Sequence, residues 1–362
     1  MSHDTIHAGF DNEIDKARRM ARPVHQSDFQ GLRLSGRDLR GLTFNHVDLR
    51  GSRLVQCDLS ETSFIDCDLS SIDLSGSTLC KTAFIRCRMP QAVLPTAYLK
   101  WLTMIKCDLR GSRWQQSHWH LCTVSECDFS ATDLRDARLE RSSFHQCQTD
   151  GADLSRVVLE RASLQGIDFQ GVTMTGLRAQ GSVLAKADLR GKALSGIQLQ
   201  RCMFTDSLLD DTDLQGADLS QSSFMGARLV RTNLQGVLAS HGMFAKATLQ
   251  QANMAQGDFH SAIFHQATLL DCRLNDACFS SAVFSKSRLS GLSFARSDLR
   301  YSQFDHARGR DLTFDHARLD HSNFHDAQLE QCTFAGADRK TMRLTDDALL
   351  AAQARTLSTE ET

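Results

Sequence analysis

From Phe29 to Phe334, almost every fifth residue is large and apolar: Phe29, Leu34, Leu39, Phe44, Leu49, Leu54, Leu59, Phe64 and onward. The register runs through 62 such centre positions without an insertion, and 58 of them are Leu, Phe, Met, Val or Trp. The exceptions are Thr149, Ala179, Ala239 and Gly309. Two residues before each centre lies a second pattern of small side chains, as in Ser52, Cys57, Thr62, Cys67, Ser77 and Thr82; 51 of its 62 positions are Ala, Ser, Cys, Thr, Val or Gly. Residues 27–338 carry 68 charged side chains, yet only Arg37 and Lys192 fall on either pattern. Two residues in five therefore point inward and three point out.

Positions two apart share one face of an extended segment, so each unit is one short strand followed by a corner. Of 22 glycines, 18 lie two after a centre, among them Gly31, Gly36, Gly41, Gly51, Gly171, Gly176 and Gly181. That is the third residue of a type II turn, which needs positive φ. Pro90 and Pro95 lie one after a centre, the position where proline is favoured. Phe44, Phe64, Phe84, Phe144, Phe204, Phe224 and Phe244 recur at period 20, and so do Cys67, Cys87, Cys107, Cys127 and Cys147. Four units per turn predict a square cross-section, about 15 coils and, at ~4.8 Å between strands, a rod roughly 70–75 Å long.

Units such as Ala152-Asp153-Leu154, Ala187-Asp188-Leu189 and Ala217-Asp218-Leu219 resemble the pentapeptide-repeat proteins. The resemblance implies an all-β solenoid, a right-handed quadrilateral β-helix over residues 27–338. Residues 1–26 break the register and form an N-terminal flanking or capping segment, with a short helix expected from Asp11, as N-cap, to Ala21, and Ile14 and Ala17 on one side. Residues 339–362 form a C-terminal segment. There Thr345 reads as an N-cap, and a short amphipathic α-helix follows with Leu349, Leu350 and Leu357 on its apolar side. This helix either caps the last coil or makes the homodimer contact that similar proteins make at this end.

The chain of 362 residues has 41 basic and 43 acidic side chains, a net charge of −2. That balance argues against a nucleic-acid binder working by broad positive charge. No apolar run is long enough to span a membrane, and residues 1–15 lack the apolar core of a signal peptide. Ten of the 12 cysteines take the small inward position, all but Cys80 and Cys278, and there is no CxxC pair. They read as small core fillers. Free thiols in this number favour a reducing compartment, hence the cytoplasm. His306, His316, His321 and His325 fall outward on three faces and read as solvated surface rather than a metal site. An uninterrupted, filled solenoid offers no concave catalytic site. No catalytic residue, metal or cofactor is expected.

Some members of the family protect DNA gyrase, and the resemblance implies that they do so by imitating duplex DNA. An acidic column is present here: Asp28, Asp48, Asp68, Asp108, Asp128, Asp168 and Asp188. Arg88 interrupts it, and Arg50, Arg110 and Arg190 stand two residues after three of its members. Two outward features depart from a plain polar coat. One is aromatic: Tyr98, Trp101, His118, His120 and Leu121, with Arg138, Arg141 and Arg161 just beyond. Aromatics beside arginine are typical of interface hot spots; alternatively, Trp114 and Trp119 distort these coils and the exposed rings cover the distortion. The other is apolar: Ile65, Ile85 and Ile105 in one column of the Phe face, and Val183, Met203, Met243, Ile263 and Val283 in another. The resulting expectation is a non-catalytic, rod-shaped scaffold or adaptor that binds another protein. Family resemblance extends this to an accessory role in type VI secretion. The alternative is a DNA-mimicking inhibitor or protector of a type II topoisomerase.

Overall fold

The computed structural model describes residues 3–348 and Leu350. The chain divides into two compact units, Met1–Ala187 and Asp188–Thr362. Each is a parallel β-solenoid in which every strand residue pairs with the one 20 positions on, as in Phe64↔Phe84 and Leu249↔Leu269. In the first unit one sheet runs from Val24–His25 through Thr43–Asn45, Ser63–Ile65, Ala83–Ile85, Thr103–Ile105 and Thr123–Ser125 to Ser143–His145. A second runs from Leu79–Cys80 to Arg178–Gln180. In the second unit the longest sheet runs from Arg228–Val230 to Gln328–Glu330. Pairing begins at Val24 and extends to Arg343, a few residues beyond each end of the expected repeat region.

The inward register is as expected. Leu154, Leu219, Leu229 and nearly all other centres are buried, with the small positions between them. The Phe column stacks: Phe44, Phe64 and Phe84 follow one another at 5.0 and 5.1 Å with nearly parallel rings. In the second unit the stack from Phe204 to Phe324 is spaced at 4.6–5.0 Å. Trp114 and Trp119 are fully buried. Each indole Nε1 donates to the hydroxyl two residues back, Ser112 or Ser117, at 2.7 Å. The strand register of Trp119 with Leu99 and Leu139 is unbroken. Distortion by oversized rings is therefore overturned; beside the indoles the column runs Phe84, Met104, Val124, Phe144, so two smaller side chains stand where the flanking coils carry Phe, which offsets volume.

Corners are of two kinds. In the closed kind the centre carbonyl accepts the N–H three residues on, as in Met89–Ala92 at 3.2 Å, where Pro90 takes the second position. In the open kind a side chain from the next coil enters that bond. Ser77 Oγ accepts the Cys57 N–H at 2.9 Å and donates to the Leu54 carbonyl at 2.6 Å. Ser222 does the same for Cys202 and Leu199. The thiols do it too: Cys87 and Cys107 donate to the carbonyls of Phe64 and Phe84, each at 3.3 Å. The inward cysteines are thus more than apolar fillers; they satisfy buried backbone groups that would otherwise be costly orphans.

Left-handed backbone is not confined to glycine. Gln56, Asp66, Arg86 and Lys106 take φ of 51–55° at the same corner position as Gly51, at 64°. Gly171 departs from the expectation: its φ is not in the left-handed range, and a Cβ there would lie 1.9 Å from the Asp150 carboxylate.

The N-terminal helix is longer than the sequence suggests. α1 spans His3–Met20, so Asp11 lies inside it rather than at its cap. Asp11 instead pairs with Arg37, which explains a charge at an otherwise inward position. Phe10, Ile14 and Ala17 are buried, with the Phe10 ring edge-on to Phe29 at 5.1 Å. Packing of this kind decides helix formation more than propensity does. At the other end Asp346, not Thr345, caps a helical turn: its carboxylate accepts the Ala348 N–H at 3.0 Å. Thr345 Oγ1 accepts the Asp326 N–H instead. Leu350 is half-buried; Leu349 and Leu357, and the rest of the expected helix, lie outside the described residues.

All twelve cysteines are free thiols. Nine inward ones are buried, whereas Cys332, in the last coil, is half-buried like Cys80 and Cys278. Burial pushes the thiols of Cys122, Cys147 and Cys272 up to about 11, which suppresses the reactive thiolate. Alkylation followed by mass spectrometry should label Cys80, Cys278 and Cys332 first, with the other nine reacting only as denaturant is added. Rapid native labelling of Cys87 or Cys107 would contradict this.

Candidate interaction surfaces

Three-residue strands carry the aromatic cluster. Register stacks Tyr98, His118 and Arg138 in one outward column and Lys100, His120 and Glu140 in the next. Trp101, Leu121, Arg141 and Arg161 occupy the adjoining corner, with φ of 50–56°. Tyr98 is 53 % and Trp101 44 % exposed. Lys100 Nζ lies 4.3 Å from the centre of the Trp101 ring, and His118 stands edge-on to Tyr98 at 5.1 Å. Glu140 approaches His120 at 3.3 Å and His118 at 3.6 Å. Desolvation tends to raise the Glu140 carboxyl, but the two histidines outweigh it and hold it below the usual range. Arg138 pairs with Glu160 at 2.6 Å. Arg141 and Arg161 are in no ion pair among the described residues.

The apolar columns are less exposed than the sequence implies. Ile65, Ile85 and Ile105 stand in direct register but are half-buried between coils. Val183 belongs to the first unit and is also half-buried. In the second unit bridges connect Met203, Ser223, Met243, Ile263 and Val283 in turn. Met203 and Met243 are exposed, and Ile263 and Val283 are half-buried. The sequence reading missed Met225, exposed on the other side of Phe224; its signal was an apolar residue beside the strip but outside the column being followed.

The acidic column turns toward its own backbone. Asp28, Asp48, Asp68, Asp108, Asp128 and Asp168 each accept the N–H two residues on, at 2.8–3.2 Å. Arg50 and Arg110 also grip Asp48 and Asp108 through the guanidinium. The Arg110 guanidinium holds the Asp108 carboxyl below the usual carboxylate range. The late histidines need a correction: His325 is buried rather than solvated. Its Nδ1 accepts the Asp346 N–H at 3.2 Å, and its ring meets that of His306 at 5.7 Å. Among the described residues, no three His, Cys, Asp or Glu groups converge as metal ligands. No described helix is long and apolar enough to cross a membrane.

Comparison with known proteins gives a consistent result. The family described as pentapeptide repeats (8 copies) matches in overlapping stretches within residues 44–95, 104–238 and 244–280. That described as pentapeptide repeat region matches residues 267–344. No curated protein matches. Among solved structures, full-length QnrB1, a plasmid-mediated fluoroquinolone resistance protein, is similar at 21% identity over 56% of this chain and 93% of its own, with a TM-score of 0.26. HetL, a pentapeptide repeat protein involved in heterocyst differentiation regulation in the cyanobacterium Nostoc sp. strain PCC 7120, is similar at 20% identity over 76% and 95%, with a TM-score of 0.23. Rfr23 from the cyanobacterium Cyanothece 51142 is similar at 16% identity over 48% and 99%, with a TM-score of 0.14. Scores this low carry no functional weight.

Proposed function

Because the chain belongs to the pentapeptide-repeat family, we propose that it is a non-catalytic, four-sided and right-handed β-helical scaffold that binds another protein through its outer surface. The observation supporting this is the cluster around Tyr98 and Trp101. Two large rings stand about half exposed on coils whose core is filled and whose register is unbroken. Folding gains little from rings left in water, whereas exposed aromatics beside unpaired arginine are what a partner's surface can use. An accessory role in type VI secretion is one form of this reading.

The reading is tested in the native host by capturing partners with the full chain and two variants. Tyr98→Ala/Trp101→Ala should lose the captured protein and keep its melting temperature. Ile85→Ser/Ile105→Ser should keep capture, because those side chains are half-buried between coils. Loss in the second variant alone would move the site to the Ile column, and loss in neither would remove both surfaces. The alternative, gyrase protection by DNA mimicry, has a direct assay. Inhibition of gyrase supercoiling, or its rescue from a quinolone, by the purified chain would replace the scaffold reading. The carboxylates of Asp48 and Asp108, paired with arginine and bonded to the backbone N–H two residues on, weigh against that outcome.

A further inference from the structure

The Phe face of the second unit has an asymmetric charge pattern. Each of five consecutive coils contributes seven residues to this face and its two corners: 200–206, 220–226, 240–246, 260–266 and 280–286. These segments hold one acid, Asp206, against Arg201, Lys246 and Lys286. Ion pairs elsewhere in this unit use cations such as Arg190, Arg228, Arg231, Arg296 and Arg300. Among the described residues none uses the three cations of this face. Arg201 only donates to Gln221, at 3.0 Å. Between the corners lies the apolar strip, on which Met203, Met225 and Met243 stand 47, 40 and 39 % exposed.

We propose that this face binds an amphipathic acidic protein segment, its apolar side on the methionine strip and its carboxylates on Arg201, Lys246 and Lys286. The proposal rests on the scaffold reading and supplies a partner chemistry for a second surface. Charge complementarity selects the occupant: unpaired cations rim an apolar centre, and the five segments themselves hold a single acid, so an acidic segment is attracted and a basic one repelled. Five coils at ~4.8 Å present a strip of roughly 20 Å, about the length of a helix of three to four turns. Methionine suits such a surface because its flexible, polarisable side chain repacks against varied partners. A nucleic acid would meet the cations but gain nothing from the strip. A lipid surface would need side chains that penetrate it, and Ile263 and Val283 are half-buried between coils.

The test uses fluorescence anisotropy with the full chain and three labelled amphipathic helical peptides. The peptides share one apolar face, with Glu, Lys or Gln on the polar face; vesicles containing phosphatidylglycerol are assayed in parallel. Only the Glu peptide should bind, more weakly as salt rises. Lys246→Glu/Lys286→Glu should weaken it about tenfold or more, and Met203→Ser/Met243→Ser by a comparable factor. Thermal melting checks that both variants fold. Tyr98→Ala/Trp101→Ala should bind the Glu peptide normally, which separates this site from the aromatic cluster. Equal binding of the three peptides, no binding of the Glu peptide, insensitivity to both double substitutions, or binding of vesicles alone would each overturn the proposal. If the Glu peptide fails while native capture still depends on Tyr98 and Trp101, the scaffold reading stands and this inference falls.

Discussion

Leu219→Asp should collapse the coils around it, whereas Gln221→Asp, two residues away, should change the melting temperature little. Leu219 is wholly buried, and its N–H donates to the Leu238 carbonyl at 2.6 Å. Replacing it forfeits about 1.5–3 kcal/mol of apolar burial. A carboxylate placed there without a partner adds a penalty of several kcal/mol. The sum approaches the whole stability of an ordinary domain, about 5–15 kcal/mol. Gln221 sits at an exposed corner with φ of 60°, a conformation that Asp tolerates. Its Oε1 accepts from Arg201, and an Asp there could keep that contact. Surface changes of this kind stay within about 0.5 kcal/mol. Circular dichroism melting of both variants decides the matter: if they melt alike, the inward register is wrong.

That register was legible because the five-residue period recurs without a slip, so each core position is confirmed by dozens of others. The open corners were not legible. Ser77 and Cys87 look like packing residues in sequence, and only the structure shows Ser77 Oγ bridging the corner of the coil before and Cys87 Sγ donating to a carbonyl there. Glycine marked the corner position but not its tolerance. A ladder of inter-coil bonds fixes the left-handed turn, as where the Arg86 N–H donates to the Ile105 carbonyl at 2.8 Å, so a side chain can be accommodated at the cost of modest strain. Single contacts outside the repeat were the weakest signals. Asp11 and Thr345 are good caps by residue type, yet tertiary contacts with Arg37 and Asp326 claim them. Of the interaction surfaces, the residues were legible and their exposure was not. Neighbouring coils half-cover Ile85 and Ile105, while Tyr98 and Trp101 are too large to be covered.

The structure also identifies the residue that should matter most for starting the solenoid. Phe10→Ala should detach α1 from the first coil. The Phe10 ring is fully buried, edge-on to Phe29 and stacked at 6.3 Å from Phe44. Emptying such a site costs about 3–5 kcal/mol, and in proteins a helix owes most of its stability to packing of this kind rather than to its own hydrogen bonds. The remaining attachments are Ile14, Ala17 and surface pairs such as Arg18 with Asp38, and exposed pairs add at most about 1 kcal/mol each. Loss of α1 would leave the apolar end of the first coil open, and solenoid stability is passed from neighbour to neighbour. The expected result is therefore graded. Amide hydrogen exchange should accelerate strongly at Phe44 and Asn45, moderately at Phe64, and little at Phe144. Lys16→Ala, which removes only the contact with Glu13, should leave the whole profile unchanged. Uniform acceleration along the first unit would mean that it unfolds all at once. No acceleration at Phe44 would mean that α1 is an ornament rather than a cap.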